Sequence, residues 1–350
     1  SGVKVGFFGL LTRTMPKLVF PKNFQGLSAG DEVEWGRKTV AELKAAGADV
    51  IVLLSHAGLS SNQVKFPIDD RAIAAQVPGI DLIVGGHSHT ALREPLRDAA
   101  NGTMIVQAGT GLSRLGEAVL EIDPETKKVV SSQARLHDLW VDQYGEDPAA
   151  LALVRKMQAE AGAALDVVIG TAAAFMGRNA AGESTLGSWM TDCARRYTKT
   201  QTAFMNSGGL RADLVAGPIT SRDIFNIMPF DNALVTLYVS GEQLRQILEH
   251  SVSGEHGLLQ VSGLSFSFDP AAPKGRRVRE VSVSGLPLQG SATYTVTAPD
   301  FVVSGGDGYS ALEGGADKAF MPILVRDALD WCVRGYSPVM PPEPGRIRKL

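Results

Sequence analysis

Short apolar runs alternate with amphipathic stretches through the first 120 residues. Four runs have the length of a strand: Val3–Leu10, Asp49–Leu54, Ile80–Val84 and Met104–Gln107. Continuous β-branched runs of this kind are typical of strands buried on both faces of a sheet. Between them, Glu32–Ala46 and Asp69–Gln76 carry apolar residues at helical spacing. Strands that alternate with helices predict a layered α/β sheet.

The alternation stops near residue 139. Gly116–Ile122 and Lys128–Leu136 predict a hairpin turning at Asp123, and the polar stretch Leu139–Pro148 follows it. Ala149–Ala164 then has helical spacing. We therefore expect a first domain over residues 1–140, a linker with a bridging helix over 141–164, and a second domain over 165–350.

The second half predicts an irregular mixture of helices and strands. Helical spacing occurs at Leu186–Arg196, Gly241–Ser251 and Pro322–Arg334. Strand patterns occur at Thr202–Met205, Ala233–Val239, Leu259–Phe268, Val278–Val283 and Tyr294–Thr297. Glycine-rich breaks interrupt this pattern after Asn206 and after Ser304. An α+β domain is the expected result.

Composition excludes several classes of protein. The chain has 350 residues, of which 44% are hydrophobic and 20% charged, so it is not a disordered protein. Its net charge is −3 and no basic block is present, which argues against a nucleic-acid polymer as partner. No apolar run approaches the ~20 residues that span a bilayer. Cys193 and Cys332 lie in helix-like apolar patterns, which favours two buried free thiols, although pairing stays open.

Three of the six histidines follow predicted strands. His56 comes after one strand, and His87 and His89 come after the next, preceded by two glycines. Ligands of open α/β sheets bind at the carboxyl ends of strands, and neutral imidazole is a common ligand of first-row metals. A single histidine there is more often a hydrogen-bonded loop residue, but three at two strand ends favour a metal site. The other three histidines lack this context, and we expect them to be structural or exposed.

These residues also carry a family resemblance. LSHAG at 54–58 followed by IDLIVGGHSHT at 80–90 resembles metal motifs of the calcineurin-like metallophosphoesterases, specifically their 5′-nucleotidase branch. Asn206–Arg211, Ile219–Asn232 and Pro299–Tyr309 resemble, in order and spacing, the nucleotide-binding C-terminal domain of those enzymes. The resemblance implies an α/β layered-sheet metallophosphoesterase domain followed by an α+β nucleotide-binding domain.

The resemblance implies a role for individual residues. It makes His56 and His87 ligands of one divalent metal ion and His89 a ligand of a second, with the identity of the metal left open. It makes Phe230 and Phe301 the two rings that sandwich the base, and Asp307 the acceptor of the ribose hydroxyls. Core packing of the phenylalanines and a turn role for Asp307 remain alternatives. The remaining implied substrate-binding residues are Asn206, Gly208, Gly209 and Arg211.

Part of the family pattern has no match. The early Asp-x-His motif, the bridging aspartate and the Gly-Asn-His motif are missing, so no catalytic histidine is identifiable. Thr185 stands where many relatives place an arginine that binds phosphate. We therefore expect the metallophosphoesterase domain to lack its N-terminal portion in this sequence, and we expect catalysis only where the missing metal ligands exist.

The expected function is metal-dependent release of phosphate from nucleotides by a metal-bridging water. A 2′,3′-cyclic nucleotide phosphodiesterase/3′-nucleotidase, a SoxB-type thiosulfohydrolase and a non-catalytic nucleotide-binding module remain alternatives. The resemblance also implies a periplasmic or extracellular location and a hinge within Leu139–Ala164. The expected partner is a small nucleotide; the oligomeric state stays open.

Overall fold

The computed structural model describes residues 2–20, 23–61 and 64–350, which form two compact units. Within the described residues, the first unit comprises 2–16 and 24–151, and the second comprises 17–20, 23 and 152–350. In the part of the chain that is described, every helix is too short or too polar to cross a membrane.

Through residue 147 the chain forms short strands and helices around one main sheet. The elements are β1 (Val5–Leu11), α1 (Met15–Leu18), α2 (Glu32–Ala45), β2 (Val50–His56), α3 (Asp70–Gln76), β3 (Leu82–Val84), β4 (Leu96–Arg97), β5 (Met104–Val106), β6 (Arg114–Ile122), β7 (Val129–Asp138) and α4 (Val141–Tyr144). The sheet has the order β1-β2-β3-β5-β4, and only the β4–β5 pair is antiparallel. The four predicted strands and both predicted helices are confirmed.

Both faces of this sheet are covered over its centre, as the continuous apolar runs predict. Ile51, Leu53 and Ile83 pack with the helices on one face. On the other face, Val50 and Met104 pack against the β6–β7 hairpin. Asp31 caps α2 by accepting hydrogen bonds from the amides of its first turn, which fixes where that helix begins.

The outer strand β1 is less protected. Its alternate residues Val5, Phe7 and Leu11 are exposed, and the Phe7 side chain retains 60% of its accessible surface. Among the described residues, β1 has β2 as its sole neighbouring strand.

The rest of the chain forms the remaining elements. These are α5 (Pro148–Leu165), β8 (Val168–Ala172), α6 (Thr185–Thr198), β9 (Thr202–Met205), β10 (Gly217–Thr220), α7 (Ser221–Ile227), β11 (Ala233–Ser240), α8 (Gly241–Ser251), β12 (Gln260–Ser262), β13 (Leu264–Phe268), β14 (Val278–Val283), β15 (Leu286–Pro287), β16 (Thr293–Pro299), α9 (Asp300–Val303), α10 (Ser310–Glu313), β17 (Ala316–Leu324), α11 (Val325–Gly335) and β18 (Ile347–Lys349). The predicted α+β character is confirmed.

A five-stranded sheet of order β12-β9-β16-β11-β17 forms the centre of the second unit. β9 runs parallel to β16, and β11 runs antiparallel to it, with Leu234 opposite Pro299. Consequently the carboxyl ends of β9 and β16 and the amino end of β11 lie at the same edge. The smaller sheets are β15-β14-β13-β18 and the pair β10-β8.

Two predicted elements of the second unit are wrong at their boundaries. The single strand expected over Leu259–Phe268 is divided at Gly263, and its halves β12 and β13 join different sheets. Gly263 has a φ of +74°, and a Cβ there would lie 1.9 Å from the Gln201 carbonyl oxygen. The helix expected from Pro322 begins at Val325, because Pro322 still belongs to β17.

The expectation of two free thiols is also wrong. Cys193 of α6 and Cys332 of α11 form a disulfide that joins residues 139 positions apart. Both cysteines lie on the apolar faces of their helices, as the pattern suggested, and these two faces pack on one another.

Candidate functional site

The first unit brings two of the three predicted metal ligands together. His56 is the last residue of β2, and His87 follows β3, its parallel neighbour. Their ring centroids lie 5.0 Å apart, and the ring of Phe66 lies at the same distance from His87. The adjacency follows from the sheet, since parallel neighbouring strands end at one edge.

The loop that carries His87 and His89 has an uncommon backbone. His87 has a φ of 64° and His89 a φ of 56°, both in the left-handed region that non-glycine residues rarely adopt. Gln107 holds this loop, because its side-chain amide donates to the Gly86 carbonyl at 2.8 Å and its oxygen accepts from the Ser88 hydroxyl at 2.9 Å. A loop held in such a conformation is typical of a functional site.

Two imidazoles fit part of a divalent metal centre. The nitrogen donors of His56 and His87 suit several first-row metals. A Cβ at Gly86 would lie 3.1 Å from the His56 Nδ1, so a glycine leaves that nitrogen room. Among the described residues, however, no group of three or more histidine, cysteine or acidic side chains is placed to hold a metal ion. Two donors do not complete such a centre, and the assignment of His89 to a second ion remains a prediction.

A buried carboxyl group lies behind these histidines. Asp70, at the start of α3, is fully buried and accepts a hydrogen bond from the Ser55 hydroxyl at 2.5 Å. Its Oδ2 has no hydrogen-bond partner among the described residues. Burial raises the pKa of Asp70 to about 6. Sequence reasoning missed this group, because nothing in the pattern marks an aspartate at a helix start as buried.

The second unit gathers the predicted nucleotide-binding residues at one sheet edge. Asn206 follows β9, Phe301 follows β16, and Phe230 precedes β11. These are the three strand ends that the topology places together. The glycine-rich loop with Asp307 continues from Phe301 through the short helix α9.

Asn206 and Asp307 are bonded to one another across 101 residues of sequence. The Asn206 side-chain amide donates to Asp307 Oδ2 at 2.7 Å. Asn206 also anchors its own turn, because its carbonyl oxygen accepts from the Gly209 amide at 3.0 Å. A Cβ at Gly209 would lie 3.1 Å from the Asn206 side-chain oxygen, which favours a glycine there.

The two phenylalanine loops are tied by a polar bridge. The Asn232 side-chain amide donates to Asp300 Oδ1 at 2.8 Å, and the Phe301 amide donates to the same oxygen. Phe301 is half-buried, and its ring lies so close to Gly306 that a Cβ there would be 2.6 Å from the ring. Phe230 is exposed. The Phe301 ring is thus held against the Gly306 backbone, whereas the Phe230 side chain is exposed to solvent.

Arg211 lies beside this pair of loops. Its guanidinium carbon is 5.8 Å from the Phe230 ring centroid, and Nη1 donates to the Gly208 carbonyl at 3.3 Å. Arg211 is exposed, as is Gly208. Its charge is therefore accessible to a ligand.

A second arginine, Arg178, which the sequence did not single out, contacts the backbone of Arg211. The Gly177 amide donates to the Thr185 hydroxyl at 3.1 Å, which holds the loop before α6 against the helix start. Arg178 follows, and its Nη1 donates to the Arg211 carbonyl at 2.7 Å. Thr185 stands at the start of α6, and Arg178 comes from seven residues earlier. Arg178 also forms an ion pair with Asp213, with its Nε 3.0 Å from Oδ1, so an acidic side chain already balances its charge. Spacing along the sequence could not reveal this, because a loop closes the gap.

Two histidines for which the sequence predicted no functional role, His250 and His256, lie beside Asp307. His250 Nε2 lies 2.7 Å from the Asp307 carbonyl oxygen, and His256 Nδ1 lies 4.0 Å from Asp307 Oδ1. Burial lowers the pKa of His256, so its imidazole is predominantly neutral at pH 7. On the other side of the loop, Phe20 contacts Phe301 edge to face with centroids 5.8 Å apart.

Two family models match the chain. Calcineurin-like phosphoesterase matches residues 12–91, which contain all three predicted metal-binding histidines. The 5′-nucleotidase C-terminal domain matches residues 168–314, which contain all seven predicted nucleotide-binding residues.

Curated relatives agree with these matches over most of the chain. The endonuclease YhcR of Bacillus subtilis (strain 168) is 32% identical over an alignment of 310 residues, and the match covers 87% of this chain and 25% of that protein. The snake venom 5′-nucleotidase of Naja atra is 27% identical over a gapped alignment of 390 residues, and the match covers 98% of this chain and 72% of that protein. The chain therefore spans a quarter of the first relative and somewhat over two thirds of the second.

A solved structure agrees as well. The 5′-nucleotidase precursor from Thermus thermophilus superimposes with a TM-score of 0.88 at 27% identity. The match covers 100% of this chain and 73% of that one.

Proposed function

Because the chain belongs to the family of calcineurin-like phosphoesterases with a 5′-nucleotidase C-terminal domain, we propose that it takes part in the hydrolysis of nucleotide phosphate esters. The family is one of phosphoesterase hydrolases. The specific substrate, a nucleoside 5′-monophosphate, is part of our proposal.

The observation that carries this proposal is the convergence at the edge of the second sheet. Asn206, Phe230 and Phe301 come from three strand ends, and Asp307 is bonded to the first of them. An aromatic ring, a guanidinium and a carboxylate are the groups that recognise a base, a phosphate and a sugar diol, respectively. Finding all three kinds at one edge supports a nucleotide over a simple phosphate ester.

Each group has a proposed task. Phe230 and Phe301 stack on the base, which tolerates different bases because every base has a π-face. Asp307 accepts hydrogen bonds from the sugar hydroxyls, and Asn206 orients its carboxylate. Arg211 supplies positive charge for the phosphate, and Arg178, which is ion-paired with Asp213 and bonded to the Arg211 carbonyl, holds the backbone that carries Arg211.

The family implies divalent metal ions, and we propose His56 and His87 as ligands of one of two such ions, with His89 on the other. A bound divalent ion supplies charge for the phosphoryl oxygens and lowers the pKa of a bound water. In this chain, Gln107 and Ser88 hold the histidine loop in the conformation that presents His87. Within the described ranges, no three histidine, cysteine or acidic side chains are placed together to hold a metal ion.

Phosphate release from AMP, CMP and p-nitrophenyl phosphate in the presence of Mn²⁺ or Zn²⁺ tests the proposal. Stacking contributes roughly 1–3 kcal/mol per base, so Phe301→Ala should raise the KM for both nucleotides by about 5- to 150-fold. Hydrolysis of p-nitrophenyl phosphate, which has no base, should be unchanged. Phe320→Ala is the matched control, since Phe320 is exposed on β17. Unchanged nucleotide KM in Phe301→Ala would contradict base stacking.

The same panel separates the alternatives. Preference for 2′,3′-cyclic AMP over AMP would favour the cyclic phosphodiesterase, and sulfate release from a thiosulfate-bearing carrier would favour the SoxB-type thiosulfohydrolase. A thiosulfohydrolase has no need of a base-stacking pair, so insensitivity to Phe301→Ala would accompany that second outcome.

A non-catalytic nucleotide-binding module is the alternative from another class. Elemental analysis of protein purified without chelator decides between these functions. About two transition-metal ions per chain would support the hydrolase. Protein that binds AMP but retains no metal after dialysis would support the binding module.

We also propose a periplasmic or extracellular location. The Cys193–Cys332 disulfide supports it, because such bonds persist in oxidising compartments and are rare in the cytosol. Activity recovered from spheroplasts and absent from the periplasmic fraction of a bacterial host would contradict it.

A further inference from the structure

The loop that presents Asp307 has little intrinsic stiffness. Gly305, Asp307 and Gly308 all have positive φ angles, of 85°, 52° and 82°. Glycine adopts this region freely, whereas a residue with a Cβ adopts it at a cost, even though aspartate tolerates it better than most. Something outside the loop must therefore hold Asp307 in place.

Three side chains from other parts of the chain lie at Asp307, and one of them, His256, has its Nδ1 4.0 Å from Oδ1. Asn206 donates to Oδ2 of the carboxylate, whereas His250, from the last turn of α8, reaches the main-chain carbonyl. A carbonyl oxygen can only accept, so His250 Nε2 carries the proton and donates. This donation persists whether or not Nδ1 is protonated.

His250 itself is firmly placed. It extends from α8, whose residues Leu244, Ile247 and Leu248 are fully buried in the core. Its ring meets the buried ring of Tyr309 edge to face, with centroids 4.6 Å apart. A Cβ at Gly308 would lie 3.0 Å from the imidazole, so the loop closes directly onto the histidine.

We infer that His250 is a positioning residue for Asp307, fixing the left-handed turn so that carboxylate Oδ1 is presented to the vicinal diol of a ribonucleotide. The inference rests on the proposed function, which makes Asp307 the sugar acceptor. Asn206 sets the orientation of the carboxylate, and His250 sets the backbone that carries it. His250 touches no substrate in this scheme.

Hydrogen exchange of the nucleotide-free protein tests whether His250 fixes the turn. The Gly308 and Tyr309 amides donate to Gly305 and Gly306 within the turn. His250→Leu should speed exchange of these two amides about three- to tenfold, the loss expected for one hydrogen bond. His250→Gln, whose side-chain amide can reach the same carbonyl, should restore most of the protection. The exposed Gln246→Leu, one turn earlier on α8, is the control. Unchanged exchange in His250→Leu would overturn the inference.

Calorimetric binding of AMP and of 2′,3′-dideoxy-AMP tests whether the fixed turn presents Asp307 to the sugar hydroxyls. His250→Leu should weaken AMP about three- to tenfold, leave dideoxy-AMP unchanged and raise the KM for AMP without lowering kcat. His250→Gln should bind AMP as the wild type does. Equal weakening of both nucleotides would overturn the inference, because a general structural defect does not distinguish sugars. If the wild-type protein binds neither nucleotide, the proposed function fails and the sugar role of Asp307 with it, whereas the exchange result still decides whether His250 holds the turn.

Discussion

Asp70 is a carboxyl group buried directly behind the predicted metal-binding histidines. One oxygen accepts from Ser55, whose neighbour is His56, and the other lies where a Cβ on Gly85 would be only 2.4 Å away. A glycine is therefore needed before the His87 loop to leave space for this carboxylate. The cost of burying it is visible in its pKa of about 6.

Asp70 should make the stability of the metal-free protein depend on pH. Because its pKa when folded, about 6, exceeds the ordinary value of 3.8, the stabilisation is complete below pH 3.8 and is lost as the pH rises through 6. Relative to Asp70→Asn, the wild-type free energy of unfolding should fall by roughly 2 kcal/mol between about pH 4 and pH 7. Denaturant titrations at the two pH values measure this.

The matched control is Asp142→Asn, on the exposed helix α4. It should show no such difference between the two pH values. Equal stability of wild type and Asp70→Asn at both pH values would show that the Asp70 carboxyl is hydrated in solution.

At the scale of elements, the disulfide between α6 and α11 closes a loop of 139 residues. In the chain-entropy model a cross-link of that span stabilises by about 5 kcal/mol, which is comparable to the whole stability of a small domain. The double variant Cys193→Ala/Cys332→Ala should therefore lower the Tm of the second unit markedly. Thiol titration of the denatured, unreduced wild-type protein should find no free thiol. Two free thiols, or an unchanged Tm in the double variant, would contradict the bond.

Most elements of the chain could be predicted from periodicity alone, and the failures have identifiable causes. The run Leu259–Phe268 has uninterrupted strand character, and the close approach of the Gln201 carbonyl at Gly263 is a tertiary fact that divides it. The nine-residue strand β17 was missed because its residues are mostly exposed, so no apolar alternation marks it. Paired cysteines were not recognised because the same apolar helical faces suit free and bonded thiols.

The residues of the candidate site also differ in whether the sequence could identify them. His87 could be proposed from the sequence because it follows a strand end, whereas Asn206 and Phe301 could be proposed only through the family resemblance of their motifs. Arg178 and His250 could not, because their relation to the site exists only after a loop or a helix has folded back.

For the whole molecule, the separation of the predicted residues into two units has a consequence for binding. The three predicted metal-binding histidines lie in the first unit, and the seven predicted nucleotide-binding residues lie in the second. AMP at 100 times its Kd should therefore raise the free energy of unfolding of the second unit by about 2.7 kcal/mol even in excess EDTA. Thermal denaturation followed with and without EDTA measures this. At the same AMP concentration, the weaker binding expected of Phe301→Ala should reduce the shift to between about 0.3 and 1.8 kcal/mol. A shift that requires metal would contradict independent binding.

The exposed face of β1 has a consequence for how the protein behaves at high concentration. Val5, Phe7 and Leu11 form an apolar stripe on β1, and the Phe7 side chain retains more than half of its accessible surface. Exposed apolar stripes favour association between molecules. In a solution of this 350-residue polypeptide, light scattering should therefore grow with protein concentration. A lysine in place of Phe7 would add charge to that stripe and keep the molecules apart.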